Sequence, residues 1–196
     1  MEENKLSFVE ETHQYFLDGR ELPSVTTLLR PLSSSAYGTV NPSVLSAAAY
    51  RGTVVHQAIE WFNIFHIEDI MPEYKAYFDA YYEWCEEVQP EILKIEYKTY
   101  HPQLMYAGTV DLLCKIKDEL WLVDYKTSHT VLEDIYRVQL EAYKQMLQAQ
   151  GINVQRKMIL HLTDAGKYKE IEFPAQDAKA WRVFGALKTI HDYAVK

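Results

Sequence analysis

Residues 106–128 read YAGTVDLLCKIKDELWLVDYKTS, two runs of alternating residues separated by a short polar turn at Lys117-Asp118. Alternation with a period of two is typical of β-strands, so this stretch predicts a β-hairpin. With a two-residue turn, Asp111 lies opposite Asp124 on one face of the hairpin, with the side chains about 5 Å apart. Lys126 shares that face.

Two carboxylates that face each other on a sheet repel unless a proton or a cation lies between them. Carboxylate oxygens suit Mg²⁺ or Mn²⁺, and a lysine two residues along the strand can orient or deprotonate a metal-bound water. The hairpin therefore predicts a divalent-metal site formed by Asp111, Asp124 and Lys126. The alternative, a solvated hairpin edge, is less favoured because the flanking positions are apolar.

The composition is that of a folded protein. With 196 residues, 48% of them hydrophobic and 13% aromatic, the chain can bury a substantial core, and we expect one domain over residues 1–196. No run of about 18 apolar residues exists, and the acidic amino terminus, MEENKLSFVEE, lacks the features of a signal peptide. We therefore expect a cytoplasmic protein that is neither secreted nor membrane-bound.

The net charge of −8 argues against a protein that coats nucleic acid, because such binding depends on the number of phosphates neutralised. It does not exclude a nuclease, since metal-binding carboxylates raise the acidic count. Only Cys85 and Cys114 are present, too few for a disulfide framework or a four-thiolate cluster. We expect both to be reduced core residues.

The first part of the chain predicts small elements. Residues 7–22 read as two short strands with a turn at Asp18-Gly19, and Ser24 is a candidate N-cap for a short helix. The hydroxyls of Ser24 and Thr26 can also contact phosphate, so capping and substrate binding both stay open. Residues 33–42 are small and polar, which predicts a mobile loop over a site or a plain connector.

Two helices are predicted next. In residues 43–65, His56 and Glu60 share a face, and Gly52 lies one turn before His56, where it permits close approach of a backbone or ligand. A lone helical histidine is more often a core residue than a ligand. Residues 73–88 are rich in aromatic side chains, on which the bases of a single strand can stack. Core packing is the favoured role of this helix, because four of its large side chains recur at helical spacing and so share one face: Tyr77, Tyr81, Trp84 and Val88.

The remaining pattern alternates between strands and helices. Residues 91–100 predict a strand with Leu93, Ile95 and Tyr97 on one face and Glu96 on the other, where Glu96 can be merely solvated. A helix over residues 131–150 ends at Gly151 and presents Gln139 and Tyr143 on one face. Strands at residues 156–162 and 167–173 and a helix at residues 181–193 follow.

Four motifs occur in a fixed order along these elements. They are Gly52 with His56, Gly108-Thr-Val-Asp111, Asp124-Tyr-Lys126, and Gln139 with Tyr143. Each motif alone is weak, but the ordered set resembles the RecB-type exonuclease branch of the PD-(D/E)XK nuclease superfamily. The stretches LPSVTTLL, RGTVVHQAIE and LVDYKTS are also similar to those of mitochondrial genome-maintenance exonucleases and of phage or bacterial relatives.

This resemblance implies an α/β fold, with a small central mixed β-sheet flanked by helices (a restriction-endonuclease-like core) and an N-terminal β-hairpin. It implies a DNA exonuclease that hydrolyses phosphodiester bonds with Mg²⁺ or Mn²⁺, in a bacterial or phage-encoded protein. The partner would be DNA, preferably at single-stranded ends, with a recombination or replication protein as a further candidate partner. Some relatives carry four cysteines for an iron–sulfur cluster; because this chain lacks them, we expect no such cluster.

The resemblance also assigns roles to individual residues. His56, Asp111 and Asp124 would bind the metal, with the Tyr125 carbonyl as a further ligand, and Lys126 would position the attacking water or stabilise charge on the phosphate. The supporting or substrate-binding residues would be Gln139, Tyr143, Glu96, Ser24, Thr26 and Arg51.

Three other functions stay open at this point. One is a nucleic-acid-binding module that has lost hydrolysis, which the presence of Asp111, Asp124 and Lys126 disfavours. Another is a structure-specific endonuclease on the same fold, and the third is a metal-dependent regulatory protein. Single-stranded ends are favoured as substrate by the acidic charge, the aromatic helix at residues 73–88 and the loop at residues 33–42.

Overall fold

Two β-sheets organise the computed structural model, which describes residues 5–38 and 40–195. The larger sheet has five strands in chain order. Its third and fourth strands are parallel and its other neighbours are antiparallel, so the sheet is mixed as expected. The strands are β4 (Glu91–His101), β5 (Tyr106–Ile116), β6 (Glu119–Lys126), β7 (Arg156–Leu162) and β8 (Tyr168–Phe173).

Strands β5 and β6 form the predicted hairpin. Lys117 and Asp118 both have left-handed backbones, with φ of 49° and 67°, as a two-residue turn of this kind requires. The pairing runs from Ile116 opposite Glu119 up to Leu112 opposite Val123, which confirms the predicted register. The regular pairing ends one step before Asp111 and Asp124, where the Tyr125 amide donates to the Asp111 side chain at 2.8 Å.

Helices cover both faces of the large sheet, which confirms the expected α/β class. One core layer lies between the sheet and the helices α1, α5 and α6, and the other lies between the sheet and α3 and α4. The helices are α1 (Val25–Leu28), α2 (Arg30–Tyr37), α3 (Pro42–Phe65), α4 (Lys75–Val88), α5 (Glu133–Ala149) and α6 (Ala178–Ala194), with a 3₁₀ turn at Pro72–Tyr74. Within the described ranges, no helix is both long and apolar enough to cross a lipid bilayer.

The N-terminal segment forms a three-stranded sheet rather than two strands. The strands are β1 (Leu6–Val9), β2 (Gln14–Leu17) and β3 (Arg20–Leu22). The predicted turn at Asp18-Gly19 is present and joins β2 to β3. A second turn ends at His13, whose left-handed φ of 52° reverses the chain without a glycine and so separates β1 from β2.

The prediction of a loop at residues 33–42 is wrong over its first half. Residues 33–37 belong to α2, which begins with Pro31 in its first turn, where the fixed φ of proline suits a helix start. Within α2 the Ser33 hydroxyl donates to the carbonyl of Arg30, so a polar side chain is accommodated in the helix. Thr39 lies outside the described residues.

Local capping and core packing agree with the sequence. The Ser24 hydroxyl accepts a hydrogen bond from the Thr27 amide at 3.0 Å, which makes Ser24 the N-cap of α1. Tyr77, Tyr81 and Trp84 of α4 are all buried, which confirms core packing as the role of the aromatic helix. These rings are therefore unavailable for stacking on a base.

Candidate active site

A cleft of about 990 Å³ lies where the small sheet, α3 and strands β4 to β6 meet. It brings together most of the residues that the sequence indicated. Those that line it are Ser24, Thr26, Gly52, His56, Glu60, Glu96, Gly108, Asp111, Asp124, Lys126, Gln139 and Tyr143. We call this space the catalytic cleft below.

His56, Glu96 and Asp111 converge from α3, β4 and β5 on one side of the catalytic cleft. The Nδ1 atom of His56 lies 3.2 Å from Glu96 Oε1 and 3.7 Å from Asp111 Oδ2. The three potential ligand atoms all lie within 4.8 Å of one another, which a metal ion can span. These residues form a possible carboxylate and histidine metal site.

Glu96 owes its place to an irregularity in β4. Its backbone has a left-handed φ of 44°, and the pairing with β5 shifts between Ile92 and Lys94. Because the left-handed Glu96 lies between them, Ile95 packs against one core layer and Tyr97 against the other, so the predicted common face of these residues is wrong. Glu96 is directed to His56 rather than simply solvated.

Asp124 and Lys126 lie beside this cluster at the end of β6. Gln139 Nε2 of α5 donates to Asp124 Oδ1 at 2.9 Å and lies 3.3 Å from the Tyr143 hydroxyl. The other carboxylate oxygen, Asp124 Oδ2, contacts the Lys126 ammonium as an ion pair. A carboxylate oxygen has more than one lone pair, so Asp124 Oδ2 can bind a cation in addition to its contact with Lys126.

Burial and mutual charge shift the pKa values in the site. Burial raises the pKa of Asp124 to about 6, although the Lys126 charge opposes the shift. Burial also raises the pKa of Asp111, against the attraction of His56. For His56 burial lowers the pKa, but the charges of Asp111 and Glu96 outweigh it and bring the value to about 9. Desolvated carboxylates that lack a full set of partners are typical of functional sites.

Two glycines of the motifs have different surroundings. A Cβ at Gly108 would lie 2.7 Å from Cε1 of Tyr143, so the absence of a side chain there lets Tyr143 pack against β5. At Gly52 an added Cβ would make only an ordinary contact, 3.9 Å from Thr127 Oγ1. Gly52 leaves its side of the catalytic cleft open. Among the described residues, however, no atom lies so close that a side chain at position 52 would clash with it.

Arg51 and Tyr125 do not line the catalytic cleft. Arg51 lies over the Tyr77 ring and donates through Nε to Thr127 Oγ1 at 3.4 Å. The Tyr125 amide donates to Asp111 Oδ2 at 2.8 Å, and its ring packs edge-on against His56. Tyr125 therefore supports Asp111 and His56 from behind, whereas these contacts of Arg51 are with residues outside the cleft.

Several residues of the catalytic cleft were not indicated by the sequence patterns. They come from the N-terminal sheet and its first turn (Phe8, Glu10, His13 and Tyr15), from α3 (Ala49, Thr53, Gln57 and Trp61), and from strands β4 and β5 (Lys98 and Thr109). The Tyr15 hydroxyl lies 2.7 Å from Thr109 Oγ1, which ties the small sheet to β5 two residues before Asp111. Strand alternation predicts that Phe8 and Tyr15 share the face of their own sheet, but not that this face meets the hairpin.

A family profile described as "PD-(D/E)XK nuclease superfamily" matches residues 75–188, more than half of the chain. The chain belongs to this superfamily. PD-(D/E)XK nucleases use divalent metals, and the cluster of His56, Glu96 and Asp111 offers a site of that kind.

A solved structure agrees with the fold. The crystal structure of SSO0001 is 14% identical, has a TM-score of 0.50, and aligns over 88% of this chain and 76% of that chain. An alkaline exonuclease (LHK-Exo) from Laribacter hongkongensis is 12% identical, with a TM-score of 0.44 over 71% of this chain and 76% of that chain. No curated protein matches the chain significantly. At these identities the likeness concerns the fold alone.

Proposed function

We propose that this PD-(D/E)XK protein is a Mg²⁺- or Mn²⁺-dependent DNA exonuclease of the RecB type that acts from single-stranded ends. The observation that carries the proposal is the convergence of His56, Glu96 and Asp111 beside the Asp124 and Lys126 pair in one cleft. A nucleic-acid-binding module has no need for this combination of metal ligands and a buried ammonium.

The residues present fit a hard divalent cation. His56, Glu96, Asp111 and Asp124 would hold it, with the Tyr125 carbonyl as a further candidate ligand. Carboxylate oxygens suit such cations, and Asp124 Oδ2, which pairs with Lys126, has a further lone pair for the cation. When bound, the cation would supply a water of lowered pKa and would neutralise charge on the scissile phosphate.

Lys126 would stabilise the negative charge that develops on the phosphate. Its ammonium pairs with Asp124 and lies 4.9 Å from the centre of the Tyr136 ring, so two contacts hold it in place. Burial lowers the pKa of Lys126, but the neighbouring Asp124 and Asp111 carboxylates raise it above the ordinary value. Lys126 therefore stays protonated at neutral pH and serves better as an electrostatic group than as a base.

Gln139 and Tyr143 would orient Asp124 from α5. The amide of Gln139 occupies one oxygen of Asp124, which leaves the other directed at Lys126 and the cation position. Loss of a side chain that orients a metal ligand in this way weakens metal binding by about 10- to 100-fold.

Ser24 and Thr26, at the start of α1, would have different roles. Ser24 is buried and caps the helix, whereas Thr26 is exposed at the edge of the catalytic cleft. Thr26 can therefore contact a phosphate of the substrate while Ser24 maintains the turn.

The acidity of the protein supports single-stranded ends as the substrate. The burial of Tyr77, Tyr81 and Trp84 and the helical structure of residues 33–37 weaken two of the three arguments from sequence. The net charge of −8 remains, and duplex binding needs a broad basic surface that such a chain is poorly placed to assemble. A single strand requires only a narrow groove with a few phosphate contacts.

Linear and circular forms of the same single-stranded DNA test the proposal. The linear form should be degraded in Mg²⁺ or Mn²⁺ and should survive in EDTA, while the circle should resist. Equal rates on the two forms would identify an endonuclease, and metal-dependent binding without degradation would identify a binding module. A matched RNA strand tests the preference for DNA.

A further inference from the structure

The N-terminal sheet presents three aromatic side chains to the catalytic cleft: Phe8, His13 and Tyr15, which we call the aromatic wall. The ring centres of Phe8 and Tyr15 lie 4.7 Å apart, and the His13 ring packs edge-on against Phe8 at 5.1 Å. All three residues line the same cleft as the metal-site residues. The aromatic wall is therefore part of the surface that a substrate would meet.

The aromatic wall is fixed at a defined distance from the metal site along the chain. Phe8 pairs with Tyr15 across β1 and β2, and the Tyr15 hydroxyl is hydrogen-bonded to Thr109. Thr109 precedes Asp111 by two residues on β5 and pairs with Lys98 of β4. These contacts anchor the Tyr15 end of the wall two residues from Asp111, a spacing of roughly 6–7 Å along the strand, and Phe8 and His13 extend the wall away from that end.

The members of the aromatic wall differ in exposure. Tyr15 is buried with 1% exposure, so it acts as the anchor. Phe8 is only half-buried and His13 is exposed at the turn. Core packing accounts for Tyr15, whereas Phe8 and His13 keep accessible surface that lines the cleft, and the Lys98 ammonium over the Phe8 ring would move aside when a base stacks there.

The charges around the aromatic wall match a nucleotide. Lys98 Nζ lies 5.4 Å from the centre of the Phe8 ring, where its ammonium can reach a phosphate. Glu10, at the turn beside His13, also lines the cleft and repels phosphate from that end. A nucleotide therefore fits best with its base toward the wall and its phosphate toward Lys98.

We infer that the aromatic wall is a base-stacking subsite that holds one nucleobase of the substrate strand next to the scissile phosphate. The inference rests on the proposed function for the position of that phosphate. Stacking on ring faces suits any base, so the subsite positions the strand without reading its sequence. Phe8 and His13 are then positioning residues, and Lys98 contributes a phosphate contact.

A double-mutant cycle, which combines substitutions in the protein with removal of single bases from the DNA, tests the inference. Binding of a fluorescent single-stranded oligonucleotide is measured in Ca²⁺, which slows hydrolysis, with the intact strand and with strands carrying one abasic residue at successive positions. The protein variants are Phe8→Leu, which keeps apolar volume, and His13→Asn, which tolerates the left-handed turn. Phe16→Leu is the matched control, because Phe16 neighbours Tyr15 on β2 but points to the opposite face and does not line the cleft.

For the parent and Phe16→Leu, removal of the base at one position should weaken binding about five-fold or more, the lower bound of a base–aromatic stack. For Phe8→Leu and His13→Asn, that same removal should have a smaller effect, while thermal melts show that the proteins are folded. Lys98→Gln should weaken binding at every position alike and reduce its salt dependence by about one phosphate contact.

Equal effects of base removal in the parent and in both wall variants would overturn the inference, whether or not DNA is degraded in Mg²⁺. A selective loss in the wall variants supports the subsite even if the protein does not hydrolyse DNA. Hydrolysis is scored separately on the linear strand, so a failure of the proposed function is distinguishable from a failure of the subsite.

Discussion

Replacing Asp111 by asparagine removes one negative charge from the candidate metal site and keeps the shape of the side chain. The asparagine oxygen can still accept the hydrogen bond from the Tyr125 amide. Because burial raises the pKa of Asp111, its charged form is disfavoured in the folded metal-free protein. We therefore expect Asp111→Asn to melt at or above the parent temperature in EDTA.

The expected effect in metal is the reverse. At a free Mn²⁺ concentration about 100-fold above Kd, the parent gains about 2.7 kcal/mol. For a protein of this size that corresponds to about 5–11 °C in Tm. Loss of an outer-shell residue weakens metal binding by about 10- to 100-fold, so loss of a direct carboxylate ligand should cost at least about 100-fold. The variant would then gain about 0.4 kcal/mol, or about 1–2 °C, at the same Mn²⁺ concentration.

Thermal melts of both proteins in EDTA and in a Mn²⁺ series measure this difference directly. Asp118→Asn is the matched control, since it removes the same charge from the exposed turn of the same hairpin, at a left-handed position that asparagine accepts. The control should keep the full Mn²⁺ gain. If Asp111→Asn keeps it too, Asp111 is not a principal ligand and the proposed site is incorrect.

Three further substitutions test separate parts of the structure. Lys126→Gln should lower kcat by about 10²–10³-fold in a labelled-strand assay while the Mn²⁺ gain in Tm persists, and a lost Mn²⁺ gain would instead make Lys126 structural. Gly108→Ala should lower the free energy of unfolding in urea by about 1–3 kcal/mol through overpacking against the neighbouring tyrosine ring, whereas the unobstructed Gly185→Ala should not destabilise. Lys157→Met should cost about 3–5 kcal/mol in the same urea assay, because it leaves the buried Glu141 carboxylate without its ion pair. Adding Glu141→Leu should restore most of that loss, and an equal loss in the double variant would contradict the role of the pair.

The sequence sufficed for features that depend on local rules. The register of the β5–β6 hairpin follows from a two-residue turn, and the turn at Lys117-Asp118 has the left-handed backbone that this geometry requires. The cap at Ser24 depends on one hydroxyl and one amide three residues away. Such features involve few residues, all close in the chain.

The predictions from sequence were wrong where tertiary packing or an unusual backbone conformation determines the local structure. Residues 33–37 lack a strong helical pattern, yet they continue from Pro31 as α2 and lie beside α1. His13 and Glu96 adopt left-handed conformations, which are usually predicted from a glycine in the sequence. Each conformation changes the face of the sheet that the following residues occupy. The aromatic wall and the partner of Glu96 require the packing of distant segments, which periodicity alone does not specify.

The charge balance of the catalytic cleft links the metal to the substrate. Five carboxylates line it, from Glu10, Glu60, Glu96, Asp111 and Asp124, against the two lysines Lys98 and Lys126 and the His56 imidazolium, whose raised pKa of about 9 keeps it charged at neutral pH. Without a cation this surface repels a phosphodiester, and the Lys126 charge is already paired with Asp124. A bound divalent cation would remove much of that repulsion at the position where the scissile phosphate must lie. Metal binding would thus precede productive DNA binding, and an acidic protein could act on DNA without a broad basic surface.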